Sequence, residues 1–224
     1  MAAALWLLCA AGAVRAETQN EFWPELNAYL KLGERARLFL LASTTSAMDS
    51  RQGVQDSELG VHFDFTLTPI FRPALMDADW ERDRYLWFRV GYARTGTLKD
   101  SSDNENRGIL ELNSRFPQGS STWVVTRLRY EARDIEGRHS DRYRIRLGAE
   151  REVTWFGRVA VPYVTAEAYY DTRYDDWNRQ QYRVGAEIAI NDRWRVEPYL
   201  ARQNDTRSQP AHVNALGLAL KYFR

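Results

Sequence analysis

Charged side chains recur at every second position in several stretches of this chain. Arg127, Arg129 and Glu131 show this spacing, and so do Arg144 and Arg146. Because successive side chains of a β-strand point to opposite faces, residues two apart share one face. Arginine and glutamate on neighbouring strands can form bidentate ion pairs, and arginine can also bind carboxylate or phosphate groups of a solute. The spacing therefore predicts a sheet with one charged face.

Two interpretations of this face remain open. It can be a lattice of Arg–Glu pairs that fills a narrow barrel, or an arginine-lined channel for anionic solutes such as acidic oligosaccharides. The near balance of acids and bases favours the lattice. The two interpretations are compatible if a few arginines stay unpaired, and Arg127, Arg129, Arg144 and Arg146 would then be the surplus. The predicted lumen charge lattice is Arg89, Glu111, Arg115, Arg127, Arg129, Glu131, Arg144, Arg146, Glu150, Glu167, Arg183, Glu187, Arg195 and Glu197.

Catalytic chemistry has little support in the sequence. His62 and Asp64 share a strand face, as a base and its orienting group would, but no nucleophile is placed beside them. His139 is followed by Ser140 in a predicted loop, and His212 precedes the last strand. Barrel phospholipases and deacylases use Ser and His together on one strand, and this arrangement is missing. We predict no catalytic residue, and a lipid-directed enzyme remains the alternative.

Acidic residues cluster in two predicted loops, at Asp100, Asp103 and Glu105 and at Asp175 and Asp176. Oxygen ligands could hold a divalent cation there, but the spacing is irregular, so solvated loops are the favoured interpretation. No metal and no cofactor is predicted. The formal net charge of +1 lacks the basic excess of nucleic-acid-binding proteins.

The charged face is carried by segments that alternate apolar and polar residues, most clearly from Leu59 to Leu67. Eleven such segments of about ten to thirteen residues span ~25 Å each when tilted, which is the apolar height of an outer-membrane barrel. Long connections, at 45–56, 96–107, 134–141, 172–178 and 204–212, recur between the segments. We predict an all-β, antiparallel up-and-down transmembrane β-barrel. Bacterial single-chain barrels have even strand numbers, so ten or twelve strands are expected, with twelve favoured.

Composition agrees with this fold class. The mean hydropathy is −0.56, and no internal run reaches the ~18 apolar residues of a spanning helix. A barrel strand exposes only alternate residues to lipid, which dilutes its apolar residues. Eight Trp and twelve Tyr residues suit the aromatic girdles of such barrels.

The two ends of the chain indicate export and assembly. Residues 1–16 are predicted to be a signal peptide and residues 17–224 the barrel domain. The only cysteine, Cys9, lies in the predicted signal. Outer-membrane lipid, lipopolysaccharide and the barrel assembly machinery are the expected partners, no nucleic acid is expected, and the oligomeric state is open. The predicted assembly signal at the end of the last strand is Gly217, Leu218, Leu220, Tyr222 and Phe223.

Several short motifs resemble an uncharacterised family of bacterial outer-membrane β-barrel proteins, a domain of unknown function. They are Phe22-Trp23, Arg89-Val90-Gly91-Tyr92, Pro162-Tyr163 with Glu167 and Tyr169-Tyr170, Tyr182-Arg183-Val184-Gly185, and the ending Leu218, Leu220, Tyr222. The resemblance implies a barrel in the outer membrane and provides no established activity or catalytic residue. The expected function is a structural barrel or a narrow passive pore. A lipid-directed enzyme and a binding platform made of the outer loops are the alternatives.

Overall fold

The computed structural model describes residues 18–48, 54–67, 85–97 and 104–224, and these form twelve β-strands. The predicted signal peptide, the connection at 68–84, and Asp100 and Asp103 lie outside the described residues. Within the described ranges, no helix is long and apolar enough to cross a bilayer. The strands are β1 (Thr18–Lys31), β2 (Ala36–Ala47), β3 (Val54–Thr66), β4 (Leu86–Thr97), β5 (Glu105–Pro117), β6 (Thr122–Ile135), β7 (Arg138–Arg151), β8 (Val153–Trp155), β9 (Arg158–Asp171), β10 (Asp176–Ala189), β11 (Trp194–Asp205) and β12 (His212–Phe223).

Eleven of these strands close into a barrel and a short twelfth strand pairs beside them, which confirms the predicted all-β barrel and is consistent with twelve strands, although the wall itself has an odd number. Each strand pairs with the next along the chain, and β12 pairs with β1 to close the ring. The twelfth strand, β8, has three residues and pairs only with the start of β9. The eleven long strands correspond to the eleven alternating segments of the sequence.

The closing pair departs from the antiparallel pattern. Strands β1 and β12 run parallel, with Phe22 opposite Leu216 and Tyr29 opposite Phe223. The reason is the odd number of wall strands: when direction alternates along the chain, the first and eleventh wall strands point the same way. Closure can then occur only through parallel pairing.

The strands extend further at one end of the barrel than the sequence predicts. The predicted loop 134–141 is wrong, because β6 and β7 stay paired up to Ile135 opposite Arg138. Glu136 and Gly137 alone connect them, with φ of 53° and 80°. Two consecutive left-handed residues make the two-residue turn whose twist matches a hairpin, and glycine adopts this conformation without strain.

The outer wall is apolar and the interior is polar. On β3, Leu59, Val61 and Phe63 point outward and are 42–67% exposed, whereas His62 and Asp64 between them are buried inside. A small inward cluster formed by Trp23, Tyr199, Ala201, Val213 and Ala215 is the main apolar part of the interior.

Aromatic side chains form contact groups on the outer wall near both ends. Near the end where β6 meets β7, Tyr143 lies between Tyr130 and Tyr170, with ring centroids 5.4 and 6.3 Å apart. At the opposite end, Trp194 packs on Tyr222 at 4.9 Å. We call these the upper and lower girdles. Trp177 joins the upper girdle by contacting Tyr170.

Candidate functional site: the charged interior

Asp64 is the centre of a three-strand ion-pair cluster. The strand register places Arg37 of β2 and Arg89 of β4 directly opposite Asp64 of β3. Arg89 donates from Nε to Oδ1 at 2.6 Å and from Nη2 to Oδ2 at 3.0 Å, and Arg37 donates to Oδ2 from Nε at 3.1 Å. The Asp64 side chain is completely buried. Two guanidinium groups therefore replace the water that this carboxylate would have outside the barrel.

Three glutamates deeper in the lattice each contact three arginines. Glu111 contacts Arg89, Arg127 and Arg129; Glu131 contacts Arg129, Arg142 and Arg144; Glu167 contacts Arg127, Arg144 and Arg146. A carboxylate has about four lone-pair sites, so it can accept from several guanidinium groups. The three glutamate side chains are at most 2% exposed. Each of these carboxylates contacts arginine, although Oε2 of Glu131 accepts no hydrogen bond from the described residues.

The same network continues toward the upper girdle. Arg142 and Arg133 share Asp171, at 3.2 and 2.6 Å, and Arg133 also binds Glu105. In the turn after β9, Arg173 donates to Asp171, and this hydrogen bond raises the pKa of the Arg173 guanidinium.

Arginine outnumbers carboxylate in this connected network. Its ten arginines are 37, 89, 107, 127, 129, 133, 142, 144, 146 and 173, and its seven carboxylates are Glu58, Asp64, Glu105, Glu111, Glu131, Glu167 and Asp171. Among the residues that the structure describes, ten positive charges against seven negative ones leave an excess of three. The described part of the network therefore has a positive balance, although each of its arginines has a carboxylate partner.

The four arginines named as the surplus of a partly paired lattice, Arg127, Arg129, Arg144 and Arg146, are all paired. All four contact buried carboxylates, and Glu167 alone receives three of them. The reason is the reach of the arginine side chain across a neighbouring strand: Arg127 of β6 passes β7 to meet Glu167 of β9 at 2.7 Å. The excess charge is shared by the network and is not concentrated on separate free residues.

A second group of polar side chains fills the side of the lumen formed by β9–β12 and β1. Tyr199 donates to Glu25 at 2.5 Å, and Arg183 lies 3.8 Å from the same carboxylate. Toward the lower girdle, Glu187 accepts from Arg195 at 2.7 Å and from Lys221.

The structure places all fourteen residues of the predicted lattice inside the barrel. The remaining pairs are Arg115 with Glu150 and Lys221 with Glu197, and Tyr163 also donates to Glu197. Sequence reasoning missed the contributions of Arg37, Arg107, Arg133, Arg142 and Asp171 to the lattice. Four of them lie at the edges of predicted loops: Arg107 ends one, and Arg133, Arg142 and Asp171 lie directly beside others. Continuing the two-residue spacing to those edges would have found them.

His62 and Asp64 share a strand face, but they are not hydrogen-bonded to each other as a base and its orienting group would be. Both imidazole nitrogens are buried without a hydrogen-bond partner, and Asp64 is occupied by arginines. The imidazole stacks on Phe39 at 5.2 Å and fills the space that a Cβ at Gly60 or Gly91 would take. His62 is a packing residue in this arrangement.

The other histidines lie near the upper end of the barrel. His139 is 87% exposed with Nδ1 3.3 Å from Asp134, and the neighbouring Ser140 hydroxyl is buried without a partner. His212 contacts Asn204 at 2.9 Å through Nδ1. No serine is hydrogen-bonded to these histidines within the described residues.

The described acidic residues that were considered for a cation, Glu105, Asp175 and Asp176, have protein partners. Glu105 binds Arg133, Asp175 accepts from Tyr170, and Asp176 lies 3.2 Å from Arg207. In the part of the chain that the structure describes, no three His, Cys, Asp or Glu side chains are grouped as metal ligands.

The residues of the predicted assembly signal divide between the two faces of β12. Leu218 and Leu220 point outward and are 42% and 37% exposed. Tyr222 belongs to the lower girdle, whereas Phe223 turns inward and stacks on Tyr29 at 4.8 Å. Gly217 also faces the interior.

No family model matches this chain, and no curated protein is detectably similar to it in sequence. The function is therefore inferred from the outer surface and the packed interior of the barrel.

Proposed function

We propose that this protein is a bacterial outer-membrane β-barrel whose lumen is closed by its Arg/Glu network, so that it serves as a structural barrel. The observation that carries the membrane assignment is the outward apolar belt between the two girdles. The resemblance to uncharacterised outer-membrane barrels and the predicted signal peptide point the same way.

The belt has the properties of a lipid-facing surface. Leu147, Leu200 and Val184 lie between the girdles and are 55–59% exposed. Such outward apolar residues recur on every long strand from β3 to β12, whereas soluble proteins rarely expose contiguous apolar patches beyond a few hundred Å². Aromatic residues above and below such a belt are typical of the two membrane–water interfaces.

The buried network supports closure of the lumen. Asp64 and Glu131 side chains have no exposed surface, and Glu111 and Glu167 have 1–2%. In a water-filled channel these carboxylates would be hydrated. On the other side of the lumen, Tyr199 and Trp23 are 3% and 9% exposed, so side chains fill the interior there too. Small barrels have room for side chains and little else.

Cell fractionation tests the location. We expect the full chain, expressed with its own leader in a Gram-negative host, to remain in the outer-membrane fraction after urea washing. A folded barrel should also migrate differently on gels before and after heating. Recovery of folded protein from the periplasm or cytoplasm would overturn the membrane proposal.

Planar-bilayer recording tests closure separately. We expect the purified wild-type barrel to show no stepwise conductance. The triple variant Arg127→Ala, Arg144→Ala, Glu167→Ala removes the centre of the network and should conduct if it folds. Clear conductance steps from the wild type would replace the structural barrel with the passive pore.

A further inference from the structure

A cavity of about 330 Å³ lies inside the barrel, at the end of the barrel that carries the lower girdle. Residues of β1, β4–β7 and β9–β12 line it, so it lies within the lumen and borders most of the wall strands. Its inner limit is formed near Arg127 and Arg146, which lie about five residues inside their strands. We call it the lower cavity.

The charges of the lower cavity are separated along the barrel axis. Near the outer end, Arg115 is paired with Glu150, and Lys221 with Glu187, and all four residues line the cavity. Basic and acidic groups there neutralise each other.

At the inner end, three guanidinium groups line the cavity, whereas their carboxylate partners lie outside its lining. Arg127 and Arg146 bind Glu167, and Arg183 lies 3.8 Å from Glu25. Neither Glu167 nor Glu25 lines the cavity. Glu167 is also shared with Arg144, so one negative charge faces three positive ones.

Hydrogen-bond donors remain at this inner end. Arg146 binds Glu167 through Nε and Nη2, at 3.1 and 2.7 Å, and its Nη1 takes part in neither bond. The Arg146 side chain is 22% exposed, against 13% for Arg127 and 11% for Arg144. The guanidinium fork suits two-point binding of a carboxylate or phosphate.

The remaining lining fits a compact hydroxylated molecule. Asn113 and Thr165 offer neutral hydrogen-bonding groups, and Trp87 and Tyr163 offer aromatic surface. The volume corresponds to about eleven water molecules at ~30 Å³ each. This is the size class of one sugar ring bearing an acidic group.

We propose that the lower cavity binds a compact, hydroxylated organic anion, whose carboxylate or phosphate is held at the inner end by Arg127, Arg146 and Arg183. The charges near the mouth are paired with one another, so the arginines of the inner end are the part of the cavity that attracts an anion. The site is a blind pocket below the closed network, so binding does not require transport, and it goes beyond the proposed structural role.

Calorimetric titration of the folded, detergent-solubilised full barrel tests this site. Glucuronate and glucose 6-phosphate are the two anionic probes, and glucose is the neutral control of the same ring. We expect at least one anion to bind, with affinity falling as salt increases, and glucose to bind at least tenfold more weakly. Binding of neither anion, or equal binding of glucose, would overturn the proposal.

Variants locate the site. Arg146→Gln should weaken anion binding at least tenfold, and Arg138→Gln, an exposed arginine at the other end of the barrel, should leave it unchanged. Unchanged affinity in Arg146→Gln overturns the assignment. If that variant fails the heat-shift test for folding, Arg183→Gln must meet the same tenfold criterion. Conductance of the wild type is measured separately from anion binding. A pore without this site would conduct and bind neither anion, whereas a closed barrel with the site would bind an anion and not conduct.

Discussion

The ring of Tyr199 on β11 occupies the space where any residue larger than glycine would place its Cβ at position 217 of β12. The two residues are direct partners in the sheet. An aromatic ring that covers a glycine on the adjacent strand restores packing that glycine alone would lack. The Tyr199 hydroxyl then reaches Glu25 at 2.5 Å, two strands away from its own. Gly217 thus allows Tyr199 to reach across the parallel pair of β12 and β1.

Gly217→Ala is expected to destabilise the barrel by about 1–3 kcal/mol, because the added methyl group displaces the Tyr199 ring. Urea unfolding in lipid vesicles measures this difference. Gly33→Ala is the matched control, since a Cβ at Gly33 meets no atom within 4 Å, and it should change the unfolding free energy little. Equal effects of the two substitutions would contradict the role of the Tyr199–Gly217 contact.

Glu167→Gln should be far more destabilising than Glu150→Gln. Loss of the Glu167 charge leaves Arg127, Arg144 and Arg146 in a buried layer without their common carboxylate, and breaking a buried ion pair costs about 3–5 kcal/mol. Glu150 is 19% exposed and pairs with Arg115 near the barrel end, so its loss should cost about 1 kcal/mol or less. The temperature of the gel shift and the urea unfolding free energy measure the loss of stability in both variants. A larger loss in Glu150→Gln than in Glu167→Gln would contradict the importance of the network.

Alternation of residue types made the strands and their faces predictable. Leu59 to Phe65 shows the two-residue period without interruption, and the structure turns the apolar set outward and His62 and Asp64 inward. This works because burial on one face fixes the register of a strand.

Contacts between strands were not predictable from that pattern. The Arg37–Asp64–Arg89 cluster depends on the relative register of three strands, which no single strand encodes. Parallel closure of β1 on β12 depends on the number of strands in the whole wall. The two-residue turn at Glu136 and Gly137 was obscured by charged residues that resemble a loop, although they continue the strands.

His62→Leu is expected to preserve or increase stability. The imidazole nitrogens are buried without partners, and a buried unsatisfied polar group costs about 1–3 kcal/mol. Leucine has a similar volume and no polar atom, so the unfolding free energy should rise by about 1 kcal/mol. His212→Leu, which removes a contact with Asn204, is the control and should give no gain. A loss of stability in His62→Leu would show that the imidazole has a polar partner, and loss of a lipid hydrolase activity would revive the enzyme alternative.

Leu147→Arg separates a lipid-facing belt from the wall of a water-soluble barrel. Leu147 points outward from β7, is 58% exposed, and lies between Thr126 and Ala166 of the adjacent strands. If lipid covers this position, arginine should cost about 2–4 kcal/mol near the bilayer midplane. Ala132→Arg is the matched control, because Ala132 is exposed on the outer wall beyond Tyr130 of the upper girdle, where the cost should be about 0–1 kcal/mol. Urea unfolding in phospholipid vesicles measures both. Because water solvates arginine equally well at either height, a barrel that does not sit in a bilayer should show no difference between the two variants.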